Sequence, residues 1–217
     1  GYHSNVKNLS KDRTMFRPVI AAAALAATLA VPAQAVTVTS VSATGTVFNA
    51  PSLLIDGDFG LGTGWTDAPN VFWQNQTGAA GAVLTLNFDQ LYTLTDVALG
   101  VDNNDFYQVQ ISTDGVQWNH LLLSLPTYLD PAYEYSGASM IKRSSVPGPA
   151  SYSSLVDIAP VQARYARIFA IGGDGSYAVS ELQFAGTPVA VVPEPETYAL
   201  MATGLLALGF AARRRQR

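Results

Sequence analysis

Asp102 and Asp105, separated by Asn103-Asn104, are the nearest approach to a general acid/base pair in this 217-residue chain. Two carboxylates do such work where their surroundings tune their pKa values toward the task. Here they bracket a run of turn-forming residues, so solvation accounts for both. The chain has two histidines, His3 and His120, and His3 precedes the exported part of the chain as read below. A mechanism that needs an imidazole pair is therefore excluded. No nucleophile elbow, phosphate-binding loop or Cys/His metal spacing occurs, and cysteine is absent. These residues argue against an enzyme. What the residue types do suit is non-covalent recognition. Trp73, Phe106, Tyr133, Tyr135 and Tyr177 fall in or near turn-rich stretches, with Gln74, Asn75, Asn103 and Asn104 beside them. An aromatic face with a few polar groups holds a sugar ring. Trp73, Asn103, Asn104, Phe106, Tyr133 and Tyr177 form the candidate set, each weighed against a role in packing its own loop.

The elements that must position them lie between two special termini. Gly1–Thr14 has no periodicity and reads as an upstream remnant before a start at Met15. Arg17 follows, then thirteen uncharged residues from Val19 to Val31, Pro32, and the small-x-small triplet Ala33-Gln34-Ala35. A charged start, a short apolar run and such a triplet make a secretory signal, so 15–35 is expected to be cleaved after Ala35 by signal peptidase. At the other end, sixteen uncharged residues, Thr197–Ala212, precede Arg213, Arg214, Arg215 and Arg217. As a helix they rise roughly 24 Å, short of an apolar bilayer core of about 30 Å. Snorkelling arginines or local thinning can cover the difference, so a transmembrane helix over 197–212 is expected, its basic end cytoplasmic.

Pro193-Glu194-Pro195, the Thr197–Met201 entry, the Gly/Ala/Leu-rich stretch and the closing arginines stand in the order of a PEP-CTERM sorting signal, which 193–217 resembles. The resemblance implies recognition by an exosortase in a Gram-negative bacterium. It also implies an inner-membrane precursor, cleavage near Pro193-Glu194-Pro195, and delivery to the cell surface or exopolysaccharide matrix.

Between the signals, 36–187 is long enough for one domain, with 188–192 as linker. From Val36 to Val192 four basic residues (Lys142, Arg143, Arg164, Arg167) face thirteen acidic ones, a net charge of −9. That repels phosphate backbones, so nucleic acid is not a partner, while acidic loops suit a hard cation such as calcium. Apolar residues alternate in Val36–Thr39, Val83–Phe88, Tyr107–Ile111 and Val179–Phe184, and Tyr165–Ile171 is a further strand. Asp89-Gln90, Asp102–Asp105 and Gly172–Gly175 separate strands, and Asp114-Gly115 marks a hairpin. Pro126–Ser154 reads as a long excursion. Arg164 and Arg167 alternate with apolar residues, placing them on a solvent face where acidic neighbours can pair with them; His120 reads as structural. The class is all-β, an antiparallel sandwich or barrel.

Five segments, in order, resemble discoidin-like domains, the coagulation factor C-type family. They are Ile55–Asp58 with Thr63-Gly64-Trp65; Val83–Phe88 with Leu91–Val97; Tyr107–Ile111 with Ser112–Trp118; Ala163–Ile168; and Ser180–Phe184. The resemblance implies a galactose-binding-like jelly-roll that usually binds glycans, sometimes lipids or proteins, through loops at one end, with Trp65 and Trp118 in packing roles. It places a structural calcium ion at Asp56, Asp58, Thr63 and Glu181, although Phe59–Gly62 lengthens that loop by about two residues. The expected function is a non-catalytic carbohydrate-binding module held in exopolysaccharide or biofilm. The acidic surface disfavours anionic glycans unless calcium bridges them. The alternative is a structural or protein–protein matrix component without a small-ligand site.

Overall fold

The computed structural model describes residues 32–129, 139–145, 153–190 and 195–215. The signal up to Val31, Tyr133, Tyr135, Pro193 and Glu194 lie outside them. Ten strands follow in order: β1 (Gln34–Ala35), β2 (Val38–Thr44), β3 (Val71–Gln74), β4 (Val83–Asp102), β5 (Phe106–Ser112), β6 (Asn119–Ser124), β7 (Met140–Ser144), β8 (Ser153–Leu155), β9 (Val161–Gly172) and β10 (Ser176–Pro188). Short 3-10 turns cover Pro51–Ile55 and Thr127–Leu129, and a helix, α1, covers Pro195–Arg215.

Pairing runs β1-β10-β4-β9-β5-β6, with β2 and β7 also on β4, and β3 also on β10. All pairs are antiparallel except β7 with β8. Three strands separate β3 from β5 in this order, roughly 19 Å in a flat sheet at about 4.8 Å per strand. Yet the rings of Trp73 (β3) and Tyr107 (β5) lie 6.3 Å apart. The sheet therefore closes on itself as a sandwich, with the core between its layers.

β4 makes the closure. Asp89-Gln90, read above as a turn between two strands, lies inside one strand of 20 residues. Leu84, Leu86, Phe88, Tyr92 and Leu94 are buried on one phase of the alternation; Val97, Leu99 and Val101 are buried on the other. A register shift against β10 falls between Ala185 and Gly186, opposite Asp96 and Leu94. One extra residue there reverses which face points inward. β4 thus pairs with β2 and β9 along its first half, and with β10 and β7 along its second.

The Asp114-Gly115 hairpin forms between β5 and β6: Gly115 takes φ 75°, and the Asp114 carboxylate accepts the Val116 and Gln117 N–H groups, each at 2.8 Å. Pro126–Ser154 is not simply an excursion, because β7 lies within it and pairs with β4. At the N-terminal boundary, Gln34 and Ala35 pair with Gly186 and Ala185, and the Val36 N–H reaches Phe184 O at 2.9 Å. β10 continues to Pro188, beyond the expected domain end.

The tail corrects an expectation. α1 forms, and Leu200, Met201, Leu205, Leu206, Leu208 and Phe210 are exposed on it. Among the described residues, however, no helix is long and apolar enough to cross a membrane. The uncharged run stops at sixteen residues and is diluted by Thr197, Tyr198, Thr203, Gly204 and Gly209.

Candidate functional site

The turns before β5 and before β10, the loop following the first 3-10 turn, and the Thr127–Leu129 turn gather toward one end of the sandwich. Their backbone contacts tie them together. The Thr127 N–H reaches Asn103 O, the Asn103 N–H reaches Ser139 O, both at 2.7 Å, and the Met140 N–H reaches Thr63 O at 3.4 Å.

In the loop Asp56–Asn70, the carboxylates of Asp56 and Asp58 fold it on itself. Asp56 Oδ1 accepts the Asp58 N–H and Asp58 Oδ1 accepts the Gly60 N–H, both at 2.9 Å. Thr63 Oγ1 donates to Gly60 O at 2.6 Å, and Asn70 Nδ2 donates to Gly64 O at 2.8 Å. Gly60 takes φ 59°, and a Cβ there would meet Asn70 Oδ1, so both the backbone sign and the space call for glycine. Below the loop, a register shift in β10 between Val179 and Glu181 turns Ser180 and Glu181 inward, both fully buried. Glu181 Oε2 accepts the Gly57 N–H at 2.7 Å. Glu181 Oε1, Ser180 Oγ and Asn70 Oδ1 are buried without a hydrogen-bond partner. Burial pushes the Glu181 carboxyl up to about 7, opposed by the Gly57 N–H and the Gln183 side chain and reinforced by the nearby Asp56 carboxylate.

Of the expected calcium set, Glu181 and Asp56 come together. Asp58 is turned to its own loop, and Thr63 spends its hydroxyl proton on Gly60 O. Among the described residues no three carboxylate or imidazole groups converge as metal ligands. An orphaned carboxylate oxygen beside a second carboxylate still fits a hard cation that draws its remaining oxygens from loop carbonyls.

The second acidic group departs from its sequence reading. Asp102 and Asp105 are 4% and 1% exposed, not solvated. Asp105 Oδ2 accepts from Tyr107 OH at 3.2 Å, and that hydroxyl in turn accepts the Ala178 N–H at 2.9 Å. Asp105 Oδ1 accepts the Asp174 N–H at 3.2 Å, and Asp102 Oδ1 the Asn103 N–H at 2.7 Å. Burial raises both carboxyls to about 7; their neighbouring carboxylates, including Asp174, push the same way. Burial also drives the Tyr107 phenol well above its usual value, so it stays a neutral donor.

The aromatic candidates divide. Trp73 is fully buried, its Nε1–H held by Gln76 O at 3.0 Å, and Tyr177 is 3% exposed and tilted against it at 5.9 Å. Neither offers a face to a ligand; both fill the core between layers. Phe106, Asn103 and Asn104 are half-buried at the turn before β5, where Asn104 Nδ2 donates to Asp174 Oδ2 at 2.9 Å. The residue that sequence reading missed is Tyr128. It is 69% exposed on the Thr127–Leu129 turn, directly after the residue bonded to Asn103, with exposed Leu129 beside it. Its only sequence signal is an aromatic beside Pro126 at the start of a turn-rich stretch.

Residues 191–215 match the model of the PEP-CTERM protein-sorting motif. No curated protein matches the chain. Among solved structures, the fold is similar to the CBM32 of AlyQ in complex with 4,5-unsaturated mannuronic acid (13% identity, 70% of this chain and 97% of that one, TM-score 0.47). It is similar also to a pectin binding carbohydrate binding module (15% identity, 73% and 96%, TM-score 0.42). A third is the CBM32-1 from a family 31 glycoside hydrolase of Clostridium perfringens (14% identity, 67% and 94%, TM-score 0.42). The chain carries a mostly antiparallel sandwich followed, at residues 191–215, by a PEP-CTERM protein-sorting motif.

Proposed function

We propose that this is an exported, non-catalytic carbohydrate-binding protein, sorted by an exosortase from a membrane-anchored precursor toward the exopolysaccharide matrix of a Gram-negative cell. The observation that carries the binding site is Tyr128, an exposed ring on the turn whose Thr127 N–H bonds the Asn103 carbonyl. An exposed ring suits the apolar face of a neutral sugar, and its hydroxyl can meet the sugar's own. Affinity per site is modest, and many copies in a matrix supply the hold. A structural calcium ion at Glu181 and Asp56 fixes the Asp56–Asn70 loop. Signal peptidase cleaves after Ala35, which removes β1 and leaves Val36 to hold Phe184 O.

The test is a glycan array with the full chain in detergent, comparing wild type with Tyr128→Ala. Binding to neutral glycans that Tyr128→Ala lowers about tenfold, with an unchanged melt, supports the reading. Silence from a cooperatively melting wild type sinks it in favour of a structural matrix role, and an unaffected variant sinks the placement of the site.

A further inference from the structure

The outer face of β6, β5 and β9 holds a basic side chain that its neighbours fix in place, Arg167. Along β9, Ala166, Ile168 and Ala170 are buried while Arg167 faces outward, half-buried, opposite Gln110 of β5. Arg167 Nε and Nη2 both donate to Gln110 Oε1, at 2.8 and 2.6 Å. Its guanidinium lies 4.2 Å from the centroid of the Trp118 ring and 5.7 Å from that of Phe169. Next to it, Gln108 Nε2 meets His120 Nδ1 at 3.1 Å.

The sequence expectation was that an acidic neighbour pairs with this arginine. Among the described residues none does, although acidic residues outnumber basic ones thirteen to four over Val36–Val192. Burial alone lowers its pKa, with no neighbouring charge contributing. A guanidinium has five N–H donors, and the Gln110 contact uses two. The rest form a fixed donor edge whose geometry matches a carboxylate.

We propose that this sheet face binds an acidic polysaccharide, with Arg167 taking the carboxylate of a uronic-acid residue and Gln108, Gln110 and His120 its hydroxyls. Charge complementarity selects the anion. An acidic peptide fits less well: β5 and β9, which carry Gln110 and Arg167, are paired on both sides, so strand addition is open only at the outer edge of β6, away from Arg167, and a sheet face lacks the groove that seats a peptide helix. The local cation outweighs the domain's overall negative charge because exposed charges farther than about 10 Å are screened at ordinary ionic strength. The inference shares with the proposed function the premise that glycan is bound, and places a different glycan class on a different surface.

Titrating the full chain in detergent with trigalacturonate, and with its methyl ester, tests this by calorimetry. Wild type should bind the acid, more weakly as salt is raised, and bind the ester at least roughly tenfold less well. Arg167→Gln should lose the acid binding by a similar factor with an unchanged melt. Gln110→Leu, which frees the guanidinium without removing it, should weaken it less. Equal binding of acid and ester, no binding by wild type, or full binding by a folded Arg167→Gln each overturns the proposal. So does competition by pentaglutamate at equal affinity, which would make this an acidic-peptide surface. Tyr128→Ala should leave trigalacturonate binding intact, so failure of the loop site and failure of this one are read separately.

Discussion

Glu181 and the Asp102–Asp105 pair are buried carboxylates with raised pKa values near 7, yet their surroundings answer the charge differently. Around Asp105 the fold supplies donors: the Tyr107 hydroxyl, the Asp174 N–H, and for Asp102 the Asn103 N–H. Glu181 has the Gly57 N–H and the Gln183 side chain as donors, but its Oε1 lacks a close hydrogen bond and Asp56 adds charge of the same sign. A carboxylate pair ringed by donors but pressed by its neighbours is relieved by gaining a proton. A carboxylate with an open oxygen next to a second carboxylate is relieved by a cation. If the proposed ion binds at Glu181, equal pKa shifts call for different partners, and the geometry around the group decides which.

Calcium gives the sharpest break between them. At a calcium concentration about a hundredfold above its dissociation constant, the folded state should gain about 2.7 kcal/mol, read as a rise in melting temperature. Glu181→Gln should abolish that rise and Asp105→Asn should keep it. A rise that survives Glu181→Gln would place the ion elsewhere.

pH acts on all three carboxyls in the same sense, and a variant tells the pair's share from that of Glu181. The folded pKa values of Asp102 and Asp105 lie above the ordinary 3.8, so folding favours their protonated forms. Their contribution to stability is full below the unfolded carboxylate range and is lost as pH rises through about 7. In chelator, lowering the pH from about 7.5 to 5 should raise stability by on the order of 1–2 kcal/mol after allowing for coupling within the pair. The double variant Asp102→Asn, Asp105→Asn should flatten that part of the melting curve's pH dependence, and a slope that is unchanged would remove the pair from consideration.

The smallest effect is expected at Ser180. Its hydroxyl is buried with no partner, so Ser180→Ala removes an unsatisfied group and should change stability by less than about 0.5 kcal/mol, or raise it slightly. A loss above about 1 kcal/mol in chemical denaturation would mean that the hydroxyl is hydrogen-bonded in solution.

Much of the fold was legible because β-strands with one buried face write themselves as alternation. Tyr107–Ile111 and Val179–Phe184 read correctly, as did the Asp114-Gly115 hairpin, where turn chemistry is local. β4 misled because a strand that changes layers reverses its phase, and Asp89-Gln90 supplied polar residues that imitate a turn. β7 hid because Lys142 and Arg143 interrupt its apolar pattern. The site was less legible. Trp73 and Tyr177 sit among turn-forming amides in the sequence, yet they pack between layers, a fact set by β3 meeting β10 over a hundred residues away. Glu181 was found through resemblance, and its open oxygen depends on a register shift in β10. Arg167 looked like half of an ion pair because the sequence does not say which side chain it meets across the strand.

β10 has a mechanical consequence. Its first residue, Ser176, lies at the loop end, and the last of its 13 residues, Pro188, leads toward α1, roughly 40 Å away along an extended strand. A load applied between a polymer held at the loops and whatever holds the C-terminus runs lengthwise along β10. The ladder to β4 spans nine residue pairs, Val179–Val101 to Pro188–Tyr92, with bonds perpendicular to the pull. Such a load would shear those bonds together rather than unzip them one by one, the arrangement that resists pulling best.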